Sequence, residues 1–253
     1  MKDADGSQPD HVLAMARKAV PVCLALPLLG AGLSYAAYAD ELSVSTWPWK
    51  IGVLVALVCC TGLLLVYVRY RRTNELLAYG LVMSFGVFAT YYFFGIFGYF
   101  CFLIFAPMPA VVRWPGLIGG IVLNVLWAVV AYRSVFRTIG ATSFVSKVFS
   151  DLDEVVVYDV QRGVMEFERR HKEPSAMPKF GRNIMLGLAP FYLILGRLLS
   201  SSFGANGVLL FLAVLGMPLA LLFVSLLVRI YILMIALPRQ IEKERNKRVL
   251  VAG

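Results

Sequence analysis

Residues 51–75 read IGVLVALVCCTGLLLVYVRYRRTNE, an apolar run that passes directly into a short basic connector. An α-helix needs roughly 20 residues to cross a bilayer core about 30 Å thick, and this run is close to that length. The same arrangement recurs along the 253-residue chain, of which 60% is hydrophobic and only 15% is charged. A soluble domain carries roughly 25% charged residues. The sequence therefore predicts an all-α integral membrane protein with about six transmembrane helices and a small cytoplasmic insertion.

Six apolar segments set the predicted organisation of the chain. The predicted spans are 19–39, 51–68, 76–106, 115–132, 185–201 and 207–228. They divide the chain into an N-tail at 1–18, transmembrane helices 1–4 at 19–132, a polar insertion at 133–184, transmembrane helices 5–6 at 185–237 and a C-tail at 238–253. An alternative is that residues 1–39 form a cleaved signal peptide, although the apolar stretch is longer than the roughly 7–15 residues of such a signal.

Positive charge is concentrated in alternate connectors. Residues 1–18, 69–75, 133–184 and 229–253 carry 3, 3, 9 and 6 Lys and Arg, whereas 40–50, 107–114 and 202–206 carry 1, 1 and 0. Connectors rich in Lys and Arg are retained in the cytoplasm, which predicts cytoplasmic N- and C-termini in a bacterial inner (plasma) membrane. Bases beside apolar spans also attract anionic headgroups. The net charge of +9 therefore indicates the lipid bilayer as a partner, and not nucleic acid.

An aromatic cluster lies at the outer end of the third predicted span. At 1.5 Å per residue, 76–106 would make a helix of about 46 Å, longer than the bilayer core. Many residues within 91–105 are aromatic, beginning with Tyr91 and Tyr92. Three prolines follow and are expected to break the chain: Pro107, Pro109 and Pro115. Two interpretations stay open: an aromatic belt with internal packing, or a re-entrant or partner-binding surface at 98–106.

Small residues mark one face of the fourth span. Gly116, Gly120 and Asn124 lie four apart, a spacing that lets another helix approach closely and lets the amide bond across the interface. The approaching helix could belong to this protein or to a partner. Arg197 lies inside the fifth span, where it could extend outward, pair within the bundle or meet an anionic ligand. The candidate partner-contact residues are Gly116, Gly120, Asn124, Arg197, Tyr91 and Tyr92.

The polar insertion predicts a small cytoplasmic structure. Residues 133–150 mix apolar and basic side chains in the manner of an amphipathic helix that continues the fourth span. Residues 154–160 and 164–170 both alternate, and 161–163 suits the loop of a bulged β-hairpin. A hairpin is marginal alone in water, so it must rest on the membrane domain, a second copy or a partner. The hairpin is either a local cap on the protein's own helical bundle or a docking element for a partner. The C-tail predicts a short solvated helix.

Reactive groups are scarce at membrane depth. No Asp or Glu lies in any predicted span, although proton-coupled carriers and many ion pathways need such groups. The four cysteines lie in apolar spans without the paired spacing of a metal site: Cys23, Cys59, Cys60 and Cys101. The two histidines, His11 and His171, lie in polar segments. These features predict a non-enzymatic protein with no cofactor, no catalytic residue and no metal site.

Three classes of function fit this layout. With several spans, few reactive groups, a small-residue face and a small insertion, the chain resembles multi-pass immunity proteins, which neutralise pore-forming bacterial toxins in the membrane. That resemblance implies a protein partner, the toxin, met helix to helix within the bilayer. The first alternative is an accessory or assembly subunit of a membrane protein complex, docked through the insertion. The second is a small-solute transporter or channel, which the lack of intramembrane acids and internal repeats disfavours.

Overall fold

The computed structural model describes residues 10–71, 73–141, 144–152, 154–163, 165, 183, 186–187 and 192–252. Within that part of the chain, five helices are long and apolar enough to cross a membrane: His11–Glu41, Trp47–Arg69, Leu76–Phe105, Ala110–Gly140 and Ile194–Arg245. Helices of this length and composition make the chain a multi-pass membrane protein. A small three-stranded β-sheet accompanies them.

The first three long helices agree well with the predicted spans. They are α1 (His11–Ser34) with the π-helical π1 (Tyr35–Glu41), α2 (Trp47–Arg69), and α3 (Leu76–Tyr91) with π2 (Tyr92–Cys101) and α4 (Phe102–Phe105). The Asp10 carboxylate begins α1 by accepting a hydrogen bond from the Leu13 amide at 2.9 Å, which satisfies an amide without an intrahelical partner. The third run stays helical to Phe105. This continuity contradicts a re-entrant segment at 98–106.

The fourth long helix begins earlier and ends later than its predicted span. Helix α5 (Ala110–Ala141) includes Pro115, so the predicted break at that proline is wrong. Proline removes one intrahelical hydrogen bond, and near the start of a 32-residue helix most of the bonds remain. A short helix, α6 (Phe144–Val148), follows, and the chain enters a strand at Phe149. The last two residues of the predicted amphipathic helix are therefore extended instead of helical.

The last long helix contains a sharp break. Helix α7 (Tyr192–Ile230) is interrupted at Gly204, whose φ of 55° and ψ of −141° are not helical. A side chain at Gly207 would overlap the Leu199 carbonyl, whereas residues eight apart in a straight helix are separated by about 12 Å along its axis. The chain therefore turns back at Gly204, between the fifth and sixth predicted spans. Residues 185 and 188–191 of the predicted span 185–201 lie outside the described residues, and a sixth transmembrane helix stays a prediction.

The sheet joins the insertion to the C-tail. After α7 the chain continues through π3 (Tyr231–Ala236) and α8 (Leu237–Arg245). The predicted helix in the C-tail is therefore present, but it is not solvated on all sides, because Pro238 and Ile241 are buried. The strands are β1 (Phe149–Asp151), β2 (Val155–Asp159) and β3 (Arg248–Ala252). Their order is β1-β2-β3. β1 pairs antiparallel to β2, and β3 pairs parallel to it, so that Val156 lies opposite both Asp151 and Val249.

The predicted β-hairpin is wrong in its pairing. Its first strand is present as β2, but both edges of β2 are occupied by β1 and β3. A strand forms ladders along two edges only, so 164–170 has no free edge to join there. Residues 160–163 are helical and do not form the predicted loop, and most of 164–170 lies outside the described residues.

The sheet and α8 form a cap on the membrane helices. Their buried side chains share one apolar cluster with α6, the start of α3 and the ends of α5 and α7: Leu76, Val135, Phe144, Val148, Val156, Tyr158, Ile230, Ile241, Val249 and Val251. Burial of these side chains provides the support that an isolated small sheet lacks in water. The sequence left open whether the small β-structure rests on the membrane domain, a second copy or a partner. In the structure it rests on the protein's own membrane helices.

The basic and the less basic connectors lie at opposite ends of the bundle. At the end with the β-sheet, termed the sheet end, Asn74 accepts hydrogen bonds from the amides of His11 at 3.0 Å and Val251 at 2.9 Å. At the other end, termed the Glu41 end, Glu41 accepts one from the Ala205 amide at 3.1 Å. This arrangement agrees with the alternation of charge along the sequence. Which compartment faces the sheet end stays a prediction.

Candidate functional site

The small-residue face of α5 packs against the aromatic third helical run. A Cβ added to Gly120 would lie 2.5 Å from Cε1 of Tyr99. One added to Gly116 would lie 2.9 Å from a methyl carbon of Leu103. The Tyr99 hydroxyl donates a hydrogen bond to the Gly116 carbonyl at 2.9 Å. Glycine at both positions therefore lets α5 approach π2 and α4 closely, as small residues do between membrane helices.

Asn124 links three helices on the same face. Its Nδ2 donates a hydrogen bond to the Gly120 carbonyl at 2.8 Å and lies 3.9 Å from the Met217 sulfur of α7. Its Oδ1 accepts a hydrogen bond from the Tyr91 hydroxyl at 3.4 Å. Polar contacts of this kind hold membrane helices together. The protein's own side chains thus cover this face, and a partner-contact role for it stays a prediction.

Tyr92 packs against α1 and α2 instead of α5. Its side chain is fully buried, and a Cβ added to Gly52 would lie 2.9 Å from its hydroxyl. That hydroxyl and the buried hydroxyl of Tyr38 have no hydrogen-bond partner within the described part of the chain. An unsatisfied buried donor costs roughly 1–3 kcal/mol. Tyr91 and Tyr92 therefore belong to two different contacts, although they are adjacent in the sequence.

Arg197 lies on an exposed face of the α7 segment that precedes Gly204. Ile194, Leu198 and Ser201 share this face, because positions i, i+3, i+4 and i+7 lie on one side of a helix. Ile194 is 65% exposed and Leu198 is 58% exposed, and Arg197 is exposed between them. Among the described residues, no hydrogen bond or ion pair joins Arg197 to another side chain. The surface formed by these four residues is termed the Arg197 face.

Glu41 has a role that sequence interpretation missed. Its carboxylate accepts the hydrogen bond from the Ala205 amide directly after the break at Gly204. Amides at the start of a helix lack intrahelical acceptors, and a negative charge is favourable there. Glu41 therefore caps the second segment of α7. The sequence carries a turn signal at Gly204, but nothing in it points to a partner 164 positions away.

Ion pairs hold the C-tail on the cap at the sheet end. The Asp151 carboxylate of β1 accepts hydrogen bonds from Lys247 at 2.8 Å and from Arg245 at 2.7 Å. The hydrogen bond from Lys247, aided by the positive charges of both bases, lowers the pKa of the Asp151 carboxyl. Burial raises the pKa of the Tyr158 hydroxyl in β2. The cap thus combines a charged, paired edge with a neutral interior.

Side chains that could bind metal are dispersed in the described part of the chain. No group of three or more His, Cys, Asp or Glu residues there could hold an ion together. The cysteines at 23, 59, 60 and 101 are free thiols. No family model, curated protein or solved structure matches this chain.

Proposed function

We propose that this protein is a non-catalytic accessory or assembly subunit of a membrane protein complex, and that it contacts its partner within the bilayer through the Arg197 face. The observation that carries the proposal is an exposed arginine on an apolar helix of a multi-pass bundle. Arg197 precedes the turn at Gly204 by about 10 Å along the helix axis. A guanidinium at this position needs a counter-charge or a polar neighbour when the helix is in the membrane.

The surroundings of Arg197 favour a protein neighbour over lipid. An arginine facing hydrocarbon costs roughly 2.5–3.5 kcal/mol at the centre of a span and less towards an end, where Arg197 lies. An Asp or Glu on the helix of a partner would offset that cost. The exposed hydroxyl of Ser201 suits close packing of helices, and the exposed Ile194 and Leu198 add apolar contact area. The expected partner is therefore a transmembrane helix with one carboxylate in an apolar stretch.

The proposed complex lies in a bacterial inner membrane with the sheet end in the cytoplasm. The support for this placement is the concentration of Lys and Arg in the connectors that meet at the sheet end. The C-tail and the insertion would then form the cytoplasmic cap. Contact with the partner would take place nearer the Glu41 end, where Arg197 lies.

The immunity function that the layout implies finds no support in the small-residue face. Tyr99 and Leu103 cover Gly116 and Gly120, and Asn124 is bonded to its own neighbours. A toxin helix would have to displace these side chains before it reached the face. The immunity function therefore stays an untested prediction, and so does small-solute transport.

Photo-crosslinking in native membranes tests the proposal. A benzophenone amino acid is placed at Leu198 on the Arg197 face or at Leu57 on α2, which is exposed to the same extent, 59% against 58%. We expect a discrete protein adduct at Leu198 and only lipid adducts at Leu57. Because the contact depends on a positive charge, Arg197→Leu should lose the protein adduct and Arg197→Lys should keep it.

Two outcomes would contradict this function. Lipid adducts at both Leu198 and Leu57 would show that Arg197 simply extends to headgroups. An adduct of twice the mass of this chain would identify a second copy as the neighbour. Sequencing of a true partner should show an Asp or Glu within an apolar span.

A further inference from the structure

An apolar groove runs between α1 and α2 on the surface of the bundle. Its volume is about 410 Å³, and residues about one turn apart on each helix line it, among them Arg17, Val20, Leu24, Cys60, Leu64 and Tyr67. Ala16 lines it as well and is buried, whereas Val20, Leu24 and Leu64 are exposed. A small side chain between larger ones creates a channel along the helix pair.

One end of this groove is polar. Helix α1 begins at His11 and α2 ends at Arg69, so Arg17 and Tyr67 lie towards the sheet end. Helical side chains point towards the N-terminus of their helix, which directs the Arg17 guanidinium further towards the same end. Arg17 is exposed. A guanidinium binds phosphate through two parallel hydrogen bonds, and tyrosine is favoured at the membrane interface.

The acyl part of the groove fits within one leaflet of a bilayer. From Arg17 to Leu24 the lining extends about 10 Å at 1.5 Å per residue, less than half of a hydrocarbon core of about 30 Å. A helix would insert only its side chains into a groove of this volume, whereas a single hydrocarbon chain can lie along its whole length.

We infer that this groove binds one anionic phospholipid of the leaflet at the sheet end. An acyl chain lies along Val20, Leu24 and Leu64, and the headgroup phosphate meets Arg17 beside the Tyr67 hydroxyl. The basic connectors meet at the same end and attract anionic headgroups to it. The site is on α1 and α2, whereas the Arg197 face is on α7, so the inference does not depend on the proposed function.

Native mass spectrometry of the full-length protein in detergent tests the site. The probes are phosphatidylglycerol, which is anionic, and phosphatidylcholine, which is zwitterionic, with identical acyl chains. We expect one bound phosphatidylglycerol with an affinity about tenfold above that of phosphatidylcholine, which corresponds to about 1.4 kcal/mol. Both lipids carry the phosphate, but the choline ammonium of phosphatidylcholine repels the Arg17 guanidinium and competes with it for that phosphate. Arg17→Gln should remove this preference.

Two further variants separate a shaped site from general surface charge. Lys18→Gln removes the same charge from the next residue, which is exposed but does not line the groove, and should leave lipid binding unchanged. Val20→Trp narrows the groove at an exposed position and should weaken the binding of both lipids. Equal losses in Arg17→Gln and Lys18→Gln would overturn the inference. Full lipid binding by Val20→Trp would overturn it too.

Discussion

Replacing Gly120 with alanine places a methyl group where the ring of Tyr99 lies. The added Cβ would be 2.5 Å from Cε1 of that ring, whereas carbon atoms prefer separations of about 3.5–4.0 Å. The ring or α5 must therefore move by about 1 Å. Either movement lengthens the 2.9 Å hydrogen bond from the Tyr99 hydroxyl to the Gly116 carbonyl, towards distances at which such bonds weaken.

The free energy of unfolding should fall by about 0.6–3.6 kcal/mol in Gly120→Ala. Forcing extra volume into a packed contact typically costs about 1–3 kcal/mol. An interhelical hydrogen bond in a membrane protein contributes about 0.6 kcal/mol on average. The better helix propensity of alanine offsets these losses by up to about 1 kcal/mol.

Reversible unfolding in mixed detergent and lipid micelles measures this change. Gly119→Ala is the matched control, because a Cβ added there has nothing within 4 Å, and it should be neutral or slightly stabilising. In a Tyr99→Ala background the Gly120→Ala change should cost little, since the obstructing ring is absent. The same loss of stability in Gly120→Ala and Gly119→Ala would refute the argument. The argument would also be refuted if the losses of stability in Gly120→Ala and Tyr99→Ala simply added in the double variant.

Two further substitutions test contacts at the two ends of the bundle. Glu41→Ala removes the acceptor for the Ala205 amide and should lower the free energy of unfolding by about 1 kcal/mol in the same assay. The control is Asp40→Ala at the exposed neighbouring residue, which should be neutral. Equal effects of the two substitutions would contradict the capping role of Glu41. At the sheet end, pairing lowers the Asp151 pKa in the folded protein, so its stabilisation is present above the ordinary value of 3.8 and is lost as the pH falls below it. In thermal scans the melting temperature of the wild type should exceed that of Asp151→Asn at neutral pH, and this difference should shrink below pH 3.8. A difference in melting temperature that persists unchanged in acid would exclude charge as its origin.

Patterns within one segment predicted the helices well. The apolar run at 51–68 lies inside α2, and the predicted third span differs from the third helical run by one residue. Hydrophobic length alone suffices there, because each helix satisfies its own backbone hydrogen bonds in lipid. The same reasoning predicted a break at Pro115, but loss of one backbone hydrogen bond does not end a 32-residue helix.

Contacts between distant segments were beyond the reach of such patterns. The alternation at 154–160 correctly indicated a strand, but one of its partners, β3, comes from the far side of α7. Glu41 and Ala205 are likewise remote in sequence. The spacing of Gly116, Gly120 and Asn124 predicted a close helix contact, yet only the structure identifies Tyr99 and Leu103 as the side chains that make it.

The parallel pairing of β2 with β3 has a consequence for the order of events during biosynthesis. β2 leaves the ribosome before α7, and β3 leaves it after α7, π3 and α8. The sheet can therefore close only after every described membrane helix has been synthesised. Loop closure over so long a stretch is slow, and until it happens β2 has an unpaired edge of the kind that promotes aggregation. Formation of the β2–β3 ladder therefore marks a chain whose last described helices have been synthesised and whose C-tail has returned to the insertion.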